Sequence, residues 1–146
     1  MEKHEHEVSG EDGQLPVVRM MVLETDEPHH ETQSRRGTFG EILHHHFADA
    51  GRAHDPPLGI ETDRRFVVTE NGGTMPKVSD FQDCHALLIT GSMYDAHGDN
   101  PWILELLDLL KSERERQTTF SSSLPNPPST PPSPFSFLIS DFLGSL

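Results

Sequence analysis

Three places along the chain gather residue types that do chemistry. Cys84 is the one cysteine, and so the only thiol able to become a nucleophile or a soft metal ligand. His44-His45-His46 is a run of three among ten histidines. On a helix, successive residues point about 100° apart, so three in a row cannot share one ion; useful pairs need i, i+4 spacing. His46 is therefore read as packing and His44 and His45 as the solvent boundary. His4 and His6, alternating with glutamates, would hold a metal only weakly. His29 and His30 read as solvated loop residues, and His97 has no assigned chemistry. The third place is Gly91-Ser92 with Tyr94, a small and polar loop after an apolar run. Glu24 and Asp26 follow an earlier apolar run in the same way. No metal or cofactor is expected.

These residues need a scaffold. Val17-Val18-Arg19-Met20-Met21-Val22-Leu23 is short and mostly apolar, the pattern of a buried strand, and a loop through Arg36 and Gly37 is expected after it. Phe39, Ile42, Leu43, His46, Phe47 and Ala50 then recur at helical steps. Thr38 and Glu41 stand at capping-box spacing, and Gly51 is placed as the stop. Arg65-Phe66-Val67-Val68-Thr69 reads as a second strand turned by Asn71-Gly72-Gly73. Ala86-Leu87-Leu88-Ile89-Thr90 reads as a central third. Asn100 is the expected N-cap of a second helix with Pro101 at its first position and Ile103, Leu106, Leu107 and Leu110 as its apolar stripe. This order predicts an α/β open parallel sheet, with any site at the C-terminal strand ends: the Glu24 loop and the Gly91 loop.

Three segments are expected: an acidic disordered tail over residues 1–15, a partial α/β domain over 16–116, and a Ser/Pro-rich tail over 117–146 ending in a short apolar patch. The net charge of −13 disfavours nucleic acid and anionic membrane as partners, both of which favour a basic surface. No apolar run approaches the roughly 20 residues of a membrane span. A lone cysteine and the absence of a leader pattern point to a cytoplasmic protein.

Leu87-Leu88-Ile89-Thr90-Gly91-Ser92-Met93-Tyr94-Asp95-Ala96-His97, followed by Asn100-Pro101-Trp102-Ile103, resembles class I glutamine amidotransferases of the GMP synthase-like kind, in particular fungal stand-alone members. Val22-Leu23-Glu24-Thr25-Asp26 and Phe39-Gly40-Glu41-Ile42-Leu43 resemble their opening strand and helix. The resemblance covers about residues 17 to 115, the N-terminal part only, and implies an incomplete flavodoxin-like sheet. It also implies a glutamine-like small molecule as ligand. In that family a cysteine thiolate attacks the side-chain amide, and backbone N–H groups stabilise the oxygen that becomes negative. By resemblance Gly91 and Ser92 occupy this oxyanion position, and Glu24, Asp26 and Tyr94 belong to the surrounding loops.

The same resemblance requires a Gly-x-Cys-x-Gly elbow and a later His-x-Glu pair, and neither is present. Ser140 has no elbow spacing. Cys84 precedes the third strand, about 20 Å from the Gly91 turn at 3.3 Å per residue, whereas a nucleophile must approach within about 3 Å. The expectation is a truncated amidotransferase-like protein without activity of its own. The alternative is a binding or interaction module, whose exposed third-strand edge would pair with a second copy.

Overall fold

The computed structural model describes residues 15–122 and 138–139, with side chains over 15–117. Strand β1 (Val17–Glu24) lies between β2 (Gly59–Phe66) and β3 (Ala86–Ile89), and both neighbours run parallel to it. A two-residue strand, β4 (Leu138–Ile139), adds in parallel beside Leu88 and Ile89. The order β2-β1-β3-β4 is that of a flavodoxin-like open sheet. It is the α/β parallel architecture expected from the run of elements.

Burial follows from position in the sheet. In β1, Met21, Val22 and Leu23 are wholly buried and Met20 nearly so, because a central parallel strand is covered on both faces. Met21 and Leu23 join Leu87, Phe81, Val67 and Val68 in one core with helix α3 (Pro101–Ser122), which contributes Trp102, Ile103, Leu106 and Leu109. Val22 and Leu88, one step away along their strands, point to the opposite face, the side of helix α2 (Phe39–Ala53). Helices on both faces are what successive right-handed crossovers to the left and right of β1 produce.

Several local expectations are corrected. The segment read as loop before Gly37 contains helix α1 (His30–Arg36), which buries no residue and therefore shows no apolar period. Its support is electrostatic, with Glu31 in the first turn and Arg35 and Arg36 in the last. Strand β2 begins at Gly59, not Arg65, and ends at Phe66. Its charged residues are tolerated because it is an edge strand, while Val67 and Val68 lie buried beyond it. Gly51 does not stop α2, which continues to Ala53. A Cβ on Gly51 would stand 2.5 Å from the Leu58 carbonyl, so its role is to let the returning chain pass close by. His46 and Ala50 are exposed rather than part of the α2 stripe. In α3, Leu107 is 43% exposed and Leu109 takes its place against the sheet.

Other local readings agree. Thr38 and Glu41 form a reciprocal capping box at the start of α2. The Asn100 carbonyl accepts from Ile103 and Leu104 at the start of α3. That helix runs on to Ser122, past the change in composition at Gln117. Residues 1–14 of the tail expected over 1–15, residues 123–137 of the expected C-terminal tail, and Ser140 with the rest of its apolar patch from 140 on lie outside the described residues. Among the described residues no helix is long and apolar enough to cross a membrane.

Candidate functional site

The C-terminal ends of β1 and β3 are joined by short polar bonds. Thr25 and Thr90, both buried, are paired: the Thr25 N–H donates to Thr90 Oγ1 at 2.9 Å, and the Thr25 hydroxyl donates to the Thr90 carbonyl at 2.7 Å. Ser92 continues the seam, its hydroxyl donating to the Thr25 carbonyl at 2.9 Å and accepting from the Tyr94 N–H at 3.1 Å. Asp26 closes it. One carboxylate oxygen accepts the Glu27 N–H and the other the Met93 N–H, each at 2.8 Å. These bonds set the shape of the turn from Thr90 to Tyr94.

The Met93 N–H is thereby engaged, whereas no acceptor among the described residues takes the N–H of Gly91 or Ser92. Both residues are exposed beside a cavity of about 510 Å³. Gly91 does not have a positive φ, so the backbone conformation does not demand glycine there. The far walls of the cavity come from the start of α2, through Phe39, Ile42 and Leu43, and from α1, through Thr32 and Arg36. Asp26 and Met93 complete the near wall.

The five residues singled out from the sequence separate into groups. Gly91, Ser92 and Asp26 meet at the cavity. Glu24 does not line it. Only 6% exposed, its Oε1 accepts the Thr38 hydroxyl at 2.7 Å and the Gly40 N–H at 2.8 Å. A Cβ on Gly40 would stand 2.2 Å from that oxygen, so glycine is what lets the carboxylate reach the helix end. Its negative charge there is favourable to the α2 dipole. Tyr94 also turns away, packing edge-on against Trp102 with ring centroids 5.4 Å apart and taking a hydrogen bond from Asn71 at 3.3 Å. Thr32 and Arg36 were not anticipated. Their i, i+4 spacing was the available signal, hidden because α1 lacks an apolar face.

Cys84 sits before β3, at the opposite end of the sheet, about 20 Å from Gly91 by strand rise. It is half-buried, with Sγ 3.8 Å from the Asp80 carbonyl, and lines a separate hollow of about 270 Å³ with Arg19, Asp63 and Asp83. Burial, then the charge of Asp63, pushes its thiol up from the usual range, which disfavours the thiolate. Among the described residues no three His, Cys, Asp or Glu side chains are grouped to hold a metal. His44 instead contacts the Thr62 hydroxyl at 2.8 Å.

The chain is similar to a glutamine amidotransferase-like protein of Schizosaccharomyces pombe, with 27% identity over 90 residues. That stretch is 62% of this chain and 36% of the relative, so the chain matches about a third of the other protein's length. No protein-family model matches the sequence. No solved structure matches it.

Proposed function

We propose that this chain forms the N-terminal part of a class I glutamine amidotransferase-like domain and carries half of an amide-binding cradle without glutaminase turnover of its own. The observation that carries the reading is the Gly91-Ser92 turn, which lines an apolar cavity at the C-terminal edge of a parallel sheet and whose two N–H groups have no acceptor among the described residues. Donors placed in this way stabilise an oxygen on which negative charge develops. The partial likeness to the yeast protein supports the amidotransferase assignment. The narrower GMP synthase-like assignment rests on the motifs around Gly91 and Pro101 alone.

Lack of turnover is argued from sulfur. The one thiol lies at the far end of β3 from the Gly91-Ser92 turn, and burial pushes it up from the usual range, which disfavours the thiolate. Cleaving an amide at the cradle would require a nucleophile within about 3 Å of the carbonyl carbon. The test is ammonia release from L-glutamine by the purified chain, together with backbone amide NMR. The expected result is no release above buffer, with the Gly91 and Ser92 amides shifted by L-glutamine. Turnover abolished by a thiol-blocking reagent would overturn the claim of inactivity, and unmoved amides would overturn the cradle.

A second reading is an interaction module built on the edge of β3. The pairing of Leu138–Ile139 with Leu88 and Ile89 supports it, because that edge accepts a parallel strand. A strand from a second copy would compete for the same positions. Light scattering at increasing concentration discriminates: growth toward a dimer favours this reading, and a monomer at all concentrations counts against it.

A further inference from the structure

The register of β4 says which part of the chain's own C-terminal patch comes nearest the cavity. Leu138 stands opposite Leu88 and Ile139 opposite Ile89, with the two strands parallel. Parallel strands share a direction, so the chain leaves β4 toward the end of the sheet that carries the cavity. Carried on at the same spacing, position 142 comes level with Ser92, which lines the cavity. Opposed residues share a face of a sheet and successive residues alternate between faces. Leu88 lies on the α2 face, and so does Thr90, which also lines the cavity. The same alternation assigns position 142 to the α2 face and position 143 to the face of α3. Position 142 is a phenylalanine.

The wall awaiting it is apolar and incompletely covered. Phe39, Ile42 and Leu43 of α2 line the cavity and are half-buried, and Met93 on the near side is 82% exposed. We infer that Phe142 docks in this cavity against Ile42, Leu43 and Met93, so that the chain's own C-terminal patch occupies its site. An aromatic side chain of this size removes roughly 150–250 Å² from water when buried. A segment tethered to its site acts at an effective concentration on the order of millimolar, and a small ligand must displace it. The contact requires only the cavity. Its competition with an amide rests on the reading of Gly91 and Ser92 as a cradle.

Nuclear Overhauser contacts in the isotope-labelled full chain test the docking without any substitution. The Phe142 ring should show cross-peaks to the methyl groups of Ile42, Leu43 and Met93. Their intensities should not change on dilution, and a mixture of labelled and unlabelled chains should give none between molecules. Phe142→Ser should shift those methyls while Val67 and Leu106, in the core on the α3 side, stay in place. Leu143→Ser, one step along and on the other face, should leave all of them unmoved. Absent cross-peaks, or methyls moved equally by both variants, would overturn the inference. Cross-peaks found only between molecules would overturn it too, by making a second copy the occupant. Titration with L-glutamine then tests competition: Phe142→Ser should bring the Gly91 and Ser92 amide shifts to half-saturation at several-fold lower concentration. Equal midpoints in the two chains would overturn the competition. Amides unmoved in both would remove the cradle and leave the contact standing.

Discussion

The two ends of the sheet are built from similar residue types used in opposite ways. At the C-terminal end, Thr25, Thr90 and Glu24 are buried, and their polar atoms hold loops and a helix terminus in place. At the N-terminal end, Arg19, His85 and Asp83 are exposed, and the bonds between them stand in water. Buried polar bonds specify geometry because losing one strands a partner without solvent, whereas exposed bonds exchange readily with water. The Gly91-Ser92 turn lies at the end held by buried bonds, and Cys84, the one thiol, lies at the other. A thiol nucleophile acts only within about 3 Å of its target.

The sharpest way to break this contrast is to remove one acceptor from each end. Glu24→Ala leaves the buried Gly40 N–H and the Thr38 hydroxyl without their partner, and should cost about 2–3 kcal/mol of unfolding free energy. His85→Ala removes an exposed acceptor for the Arg19 N–H and should stay within about 0.5 kcal/mol. Urea melts of both variants check this. Equal losses would mean that the two ends are not built differently.

Thr90→Val is the next test. It keeps the shape of the side chain but removes the oxygen that accepts the buried Thr25 N–H. The expected loss is about 1–2 kcal/mol, with faster amide exchange at Thr25. Unchanged exchange would show that the threonine pair does not hold the turn.

What could be read from the sequence follows the same physics. The central strands were legible because burial on both faces demands apolar runs, as in Met20 to Leu23 and Leu87 to Ile89. The capping box was legible because it is local, with its partners three residues apart. Helix α1 was not, since a helix that buries nothing shows no apolar period. Edge strand β2 was displaced for a related reason: its charged residues, Glu61 and Asp63 to Arg65, mask a strand whose pairing comes from β1. At the site, the Gly91-Ser92 turn could be placed at a strand end. That Glu24 would face the α2 terminus rather than the cavity could not, because it depends on where Gly40 sits sixteen residues later. Arg36 was missed along with the helix that positions it.

The chemistry of Cys84 gives a smaller effect and tests the other end of the contrast. Its thiol is pushed up chiefly by burial, so alkylation by iodoacetamide at neutral pH should run several-fold slower than for an unstructured thiol. The rate should keep climbing with pH through the ordinary thiol range without levelling off. A plateau below that range would mean an activated thiolate, and would reopen the case for nucleophilic chemistry at this end.

The smallest expected effect concerns Glu41, at the exposed rim of the α2 terminus. Its carboxyl is held below the usual range, first by the hydrogen bond from Arg64 and then by the Thr38 N–H. A carboxyl whose pKa is lower in the folded than in the unfolded chain stabilises the fold above its unfolded value. That contribution is lost as pH falls through the folded value. Glu41→Gln removes the titration while keeping an oxygen for the Thr38 N–H. The gap in Tm between the unaltered chain and Glu41→Gln should therefore be widest near pH 6 and close on acidification below about pH 4.5. Because the group is exposed, the gap should also shrink in high salt. A gap independent of both pH and salt would show that the Glu41 cap acts through shape alone.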